Sequence, residues 1–238
     1  MVYNLDMYLK WGEEKITDWS EGNTEHMYAH GFVFTRLGKG VMQQTRSLRV
    51  DLTKFELSSE NRRVLRKTDN LLLKVVRIPD DMEGNYDWKI AKMAKDFYTK
   101  KFGEGTFSAN KIKSLILDRK TSNFSALCAY TDETKLDKGA DDAAIIGWAI
   151  CYQSSNIFHY AYPFYDLNLS PKEMGMGMMI RAIDYAKSAG KQYFYMGSAN
   201  RPTDTYKLQF TGIEWWDGSK WQTDLDTLRG HLRGSSKR

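Results

Sequence analysis

Apolar residues recur at helical spacing most clearly at Met174, Met178, Ile180, Ile183 and Ala186, a stretch that stops near Gly190. An apolar and aromatic run, Ile157 to Tyr162, precedes it and reads as a strand, with a turn at Pro163-Phe164-Tyr165-Asp166. Ser170 is placed to cap the helix and Pro171 to open it, since the first helical position needs no N–H. Gln192 to Met196 then reads as a second strand. A strand, helix, strand crossover makes the two strands parallel. It puts a ligand at the loops Phe164-Tyr165-Asp166 and Gly197-Ser198-Ala199-Asn200.

The earlier chain supplies the frame. Residues 1–30 are polar and aromatic with no usable period, and no element is predicted there. Phe32 to Phe34, the turn Gly38-Lys39-Gly40 and Val41 to Leu52 read as a hairpin, and Phe55 to Lys67 as a helix capped by Ser58 or Ser59. Leu71 to Ile78 follows as a strand, with Tyr86 to Phe102 and Ser108 to Leu117 as helices. Phe124 to Tyr130, a polar loop through Asp141-Asp142, Ala143 to Tyr152, and Ile157 to Tyr162 complete an antiparallel meander.

Composition adds little until charge is considered. The 238 residues are 42% hydrophobic and 27% charged, as in a globular protein. The net charge of +5 favours an anionic partner such as nucleic acid. The excess is concentrated in Arg62, Arg63, Arg66 and Lys67, and in Arg229, Arg233, Lys237 and Arg238. Like charges four apart on a helix repel, so the first cluster is either a solvated face or a phosphate-binding surface, with Ser59 and Asn61 at its start. Cys128 and Cys151 lie in apolar strands and read as buried free thiols. His26 and His30 read as loop residues, and no metal centre is expected. With no long apolar run and no signal peptide visible, a cytoplasmic protein without a membrane partner is expected.

The order strand, two helices, three antiparallel strands, helix, strand, short helix resembles the core of the GCN5-related N-acetyltransferase (GNAT) fold over residues 71–217. It implies an α+β protein with a GNAT-like mixed, mostly antiparallel sheet, helices on both faces and an N-terminal β/helix extension. The expected organisation is a hairpin and basic helix over 1–70 packed on the core, a catalytic core over 71–230 and a basic tail over 231–238. Acetyltransferases of that fold cradle the acetyl-CoA pyrophosphate at a glycine-bearing helix start, which Lys172-Glu173-Met174-Gly175-Met176-Gly177 matches in part. Tight packing of helix on sheet is the other reason for two glycines there.

A narrower resemblance is to the arginyl-tRNA and leucyl-tRNA protein transferases of the N-degron pathway. It rests on three segments: Leu48-Arg49-Val50 with Phe55 and Ser58-Ser59-Glu60-Asn61-Arg62-Arg63; Phe164-Tyr165-Asp166 with Gly175; and Tyr195-Met196-Gly197 with Tyr206-Lys207. The resemblance implies transfer of an amino acid of the arginine or leucine class from charged tRNA to the N-terminal amine of a protein or peptide. It implies no cofactor beyond the aminoacyl-tRNA donor. Asp166, Tyr165 and Tyr195 are the expected catalytic residues, with Ser59, Asn61, Arg62, Arg63, Lys67, Gly197, Asn200, Tyr206 and Lys207 binding substrate or tRNA. Asp166 would act as a base or cation anchor, and the tyrosines would donate to the leaving oxygen or stack on the terminal adenine. The chain lacks the family's N-terminal cysteines, so no metal or iron–sulfur role carries over. Two rival readings remain, an acetyl-CoA-dependent N-acetyltransferase and a non-catalytic RNA-binding protein.

Overall fold

The computed structural model describes residues 9–135, 145–168 and 173–234. In chain order it begins with β1 (Gly12–Lys15), α1 (Glu21–Ala29), β2 (Phe32–Phe34), β3 (Val41–Gln44), β4 (Ser47–Asp51) and α2 (Ser59–Lys67). Next come β5 (Leu71–Arg77), α3 (Trp88–Phe102), α4 (Ala109–Leu117), β6 (Ala126–Asp132), β7 (Ile145–Gln153), β8 (Ile157–Tyr165) and α5 (Met174–Ser188). The chain ends with β9 (Tyr193–Ser198), a 3-10 helix (Pro202–Gln209), β10 (Ile213–Trp216), β11 (Trp221–Gln222) and α6 (Leu225–Gly234). The series from β5 to β9 is the order expected of a GNAT-like α+β core. The recorded strand pairings are antiparallel except β8 with β9, the predicted crossover pair.

Two compact units are distinguished, each with its own core. The first holds the described residues of 59–152 and 160–185. In it β5, β6 and β7 pair in sequence, Leu73 opposite Tyr130 and Ala129 opposite Trp148. Asp87 and Ser108 cap α3 and α4, each accepting a backbone N–H of its own first turn. Those helices bury Ile90, Ala94, Phe97, Tyr98, Ile112, Leu115 and Ile116, which recur at helical spacing, whereas Met93 at the same spacing is only half-buried. Cys128 and Cys151 are buried free thiols with Sγ atoms 3.7 Å apart.

The second unit holds the described residues of 4–58, 153–159 and 186–238. A small sheet runs β1-β3-β2. Separately, β4 lies between β10 and β9, and all five of its residues are buried because it has a neighbour on each side. β9 in turn pairs in parallel with the start of β8, from Ile157 opposite Tyr193 to His159 opposite Tyr195.

Several expectations are corrected. Val41 to Leu52 is not one strand: Thr45, whose hydroxyl donates to the Leu9 carbonyl at 2.6 Å, breaks it, and β4 joins another sheet. Residues 1–30 do contain elements, β1 and α1. α1 escaped notice because only Thr24 and Tyr28 of its nine residues are buried. It is fixed by its polar side, where Glu25 accepts from the Ser154 hydroxyl at 2.5 Å and the Asn156 amide side chain at 2.9 Å. His26 therefore lies on a helix rather than a loop, and its ring is 4.3 Å from that of His30, the C-cap. No cluster of three metal-ligating side chains occurs among the described residues.

β8 runs through Pro163 to Tyr165, where a turn was expected. Proline is tolerated in a strand where its missing N–H is not needed, and the Pro163 carbonyl accepts from the Tyr98 hydroxyl at 3.1 Å. β10, β11 and α6 went unpredicted; α6 is anchored by Leu228 and Leu232, four apart and fully buried. The Asp141-Asp142 loop, the helix start at Ser170, Pro171 and Lys172, and the tail residues Lys237 and Arg238 lie outside the described residues. No helix among the described residues is long and apolar enough to cross a membrane.

Candidate functional site

In the second unit, the predicted loop after β9 is a clamped turn. Gly197 has φ of 70°, a left-handed conformation natural to glycine. The Ala199 N–H then donates to the Arg46 carbonyl at 2.9 Å. Asp204 accepts the N–H groups of Asn200 and Arg201 at 3.0 and 2.9 Å. The 3-10 helix returns Lys207 to the turn, where its ammonium donates to the Ser198 carbonyl at 2.7 Å and lies 3.7 Å from Asp204. Lys207 is buried to 12% side-chain exposure, whereas Tyr206 is 47% exposed. Gly197, Asn200 and Lys207 thus lie on one turn.

A residue at Gly197 bearing a Cβ would meet open space, so strain and not crowding limits substitution. Gly197→Ala is expected to cost about 1–2 kcal/mol, and Gly197→Asn less, because asparagine enters the left-handed region more readily. Thermal melting of the two variants checks this order.

Behind the turn lies a buried polar core. Tyr195 is 1% exposed, with its ring against Tyr28 and Trp221 and its hydroxyl 3.4 Å from an Arg49 Nη1 donor. Burial pushes its pKa up to about 12 against the opposing pull of Arg49. Tyr195 is therefore a protonated structural hydroxyl, and its ring offers no face for an adenine. Arg49, also missed as a centre, is bracketed by the Tyr193 and Trp221 rings, each centroid 3.9 Å from Cζ, and paired to Glu214 at 2.7 Å.

His159, opposite Tyr195 across the β8–β9 pair, bonds the Tyr28 hydroxyl through Nδ1 at 2.9 Å. Burial first, then the Lys207 cation, lowers its pKa to about 3. The folded protein keeps this imidazole neutral, while the unfolded chain protonates it near 6.5. The unfolded state thus binds more protons between about pH 6.5 and pH 3, so stability falls with acidity through that window. The expected slope is about 1.4 kcal/mol per pH unit, or about 2 kcal/mol lost by pH 5. Denaturant melts across pH measure it, and His159→Asn should flatten the curve.

In the first unit, α2 presents its cations unequally. Arg63 is engaged by Glu60 at 2.7 Å through Nε and by Glu173 at 3.5 Å, and Lys67 by Glu173 at 3.0 Å. Lys67 and then Arg63 hold the Glu173 carboxyl below the usual carboxylate range. Arg62 and Arg66 are exposed and have no ion pair among the described residues. Arg66, which the sequence reading did not choose, is thus a freer cation than Arg63 or Lys67. Ser59 is exposed at the helix start, but Asn61 is fully buried on the inner face with Val64 and has no surface for a phosphate.

Tyr165 packs on Phe97 with ring centroids 4.8 Å apart. Asp166 is half-buried, and its Oδ1 accepts the Asn168 N–H at 2.8 Å, the local turn bond of an aspartate.

The glycines of α5 have a packing explanation. A Cβ at Gly177 would stand 2.6 Å from the Thr68 hydroxyl, and one at Gly175 would stand 3.3 Å from the Tyr165 hydroxyl. The N–H groups of Met176 and Gly177 already donate to the Glu173 carbonyl. Both glycines thus have a packing reason within the first unit, one of the two explanations the sequence left open.

Comparison with known proteins now adds to this geometry. The model of the family described as arginine-tRNA-protein transferase, C terminus, matches residues 86–217. A curated relative, the aspartate/glutamate leucyltransferase of Ruegeria pomeroyi, is 32% identical over 88 residues, 36% of this chain and 32% of that protein. The matched segment therefore spans about a third of the relative. Among solved structures, L-PGS from Bacillus licheniformis aligns with a TM-score of 0.47 at 14% identity over 92% of this chain and 71% of that one. A GCN5-related N-acetyltransferase from Kribbella flavida aligns at 0.38 and 10% identity over 81% of this chain and 62% of that one.

Proposed function

Because the chain belongs to the arginine-tRNA-protein transferase family, matched by its C-terminal model over more than half its length, we propose that it is a tRNA-dependent aminoacyltransferase of the cytoplasm. It moves an amino acid of the arginine or leucine class from charged tRNA to the N-terminal amine of a protein or peptide. The observation carrying this reading is that the family match includes the whole turn from Gly197 to Lys207, which combines open space with a nearly buried ammonium.

The reaction asks little covalent chemistry of the protein. The neutral amine attacks the ester carbonyl carbon, the C–O bond to the ribose breaks, and the ribose oxygen leaves with a proton that the amine releases. The ester is already activated, so positioning supplies most of the acceleration. Lys207 holds the turn through Ser198 and adds positive charge where an oxyanion develops. Exposed Tyr206 offers a ring on which a terminal base stacks, and Arg62 and Arg66 attract the tRNA backbone. No cofactor takes part in this reading.

The test incubates the protein with arginyl-tRNA, leucyl-tRNA or acetyl-CoA, each labelled, together with peptides of varied N-termini. Consumption of one of the two charged tRNAs in a peptide-dependent way is expected. Consumption of acetyl-CoA alone, or of no donor, overturns the reading.

A further inference from the structure

Arg46 sits between β3 and β4 and was singled out by no motif. Its Nη1 donates to the Ala199 carbonyl at a long 3.4 Å, and its Nε is buried with no hydrogen-bond partner. It makes no ion pair among the described residues, although burial is sufficient to pull its pKa below the ordinary guanidinium value. The Asn200 side chain is in a similar state: its Nδ2 donates to the Thr45 hydroxyl at 3.4 Å, and its buried Oδ1 accepts nothing. A half-buried guanidinium without a counter-charge is costly, and so is a buried unmatched acceptor. Two of them on one turn call for an explanation beyond packing.

The surroundings narrow what completes the pair. Arg46 and Lys207 donate to the adjacent carbonyls of Ala199 and Ser198, so two cations converge on one turn. The carboxylate there, Asp204, is committed to the N–H groups of Asn200 and Arg201. The group that fits carries an anionic oxygen for the guanidinium and a neighbouring donor for Asn200 Oδ1. A phosphodiester with its adjoining ribose 2′-hydroxyl supplies both.

We propose that Arg46 and Asn200 form a binding site for one phosphate–ribose unit near the 3′ end of single-stranded RNA, with Arg46 bonding the phosphate and Asn200 the 2′-hydroxyl. This rests on the reading of charged tRNA as donor and adds the residues that hold its end. The binding shifts the guanidinium enough to give its Nε a partner.

The test is binding of a fluorescent cytidine-cytidine-adenosine ribotrinucleotide, with its all-deoxy counterpart, to the full chain and to Arg46→Gln and Asn200→Ala. Arg46→Gln should weaken RNA binding at least about tenfold and reduce the salt slope by about 0.7, the contribution of one single-strand phosphate. Asn200→Ala should remove the preference for ribose over deoxyribose. Should Arg46→Gln fail to fold by circular dichroism, Arg46→Lys keeps the charge but cannot bond bidentately, so its affinity should drop severalfold with the salt slope retained. Unchanged RNA affinity in the folded variants overturns the site, as does a loss confined to discrimination between acidic and neutral peptide N-termini. RNA binding that depends on Arg46 without transfer from charged tRNA would leave this site standing and remove the proposed activity.

Discussion

Arg49→Met is expected to destabilise the protein by about 3–5 kcal/mol, the usual cost of breaking a buried ion pair from one side. The guanidinium is 9% exposed and its partner Glu214 12%, so the substitution leaves the carboxylate with only the 63% exposed Lys54 ammonium, 3.7 Å away, to answer it. The variant also empties the space between the rings of Tyr193 and Trp221 of its cation, a further loss of about 0.5–2 kcal/mol within that range, and leaves the Tyr195 hydroxyl without its donor. Replacing both charges, as in Arg49→Met with Glu214→Leu, should recover most of the loss, because no charge is then left buried alone. Urea melts of the single and double variants check it. A double variant no more stable than the single one would mean that packing between the rings, not the charge pair, is what Arg49 supplies.

Lys207→Met is expected to lower transfer by about 10- to 100-fold, from the loss of a charged hydrogen bond worth about 1.5–3 kcal/mol. Its ammonium ties the 3-10 helix to the Ser198 carbonyl at 2.7 Å, and methionine retains the length of the stem but not the bond. Lys207 acts in this account by holding the turn and by its charge on the developing oxyanion, so the fall should be in kcat more than in the KM for the acceptor peptide. One accompanying signal follows from its charge alone. Lys207 helps to depress the pKa of His159, so in Lys207→Met the imidazole should titrate at higher pH by NMR. The folded and unfolded values then lie closer, and the acid window of stability loss narrows from its lower end. An unmoved His159 titration with full transfer would remove Lys207 from the site.

The sequence carried the fold best where burial is one-sided and periodic. α4 and α5 bury the residues their spacing indicated, α3 all of them but Met93, and the crossover from β8 to β9 formed as read. It failed where elements are held by polar contacts. α1 is fixed by Glu21 and Glu25 on the turn at 154–156, a long-range bonding that no local pattern encodes. Gly197 and Lys207 were legible because a motif groups them, and Asn200 because it lies in the loop where the crossover strand ends. Arg46 was not, since its significance lies in what it fails to bond. The α2 cations show the same limit: spacing put four of them on one helix, but Glu173, far along the chain, decides that Arg63 and Lys67 are engaged while Arg62 and Arg66 are open.

The most direct test of the central claim is the mass of an acceptor peptide after incubation with the protein and charged tRNA. Transfer predicts a gain of one aminoacyl residue, located by fragmentation on the α-amine, abolished when the tRNA is deacylated beforehand and absent when the peptide's N-terminus is blocked. An unmodified peptide with every charged tRNA, or a gain of an acetyl group when acetyl-CoA is the donor, would contradict it.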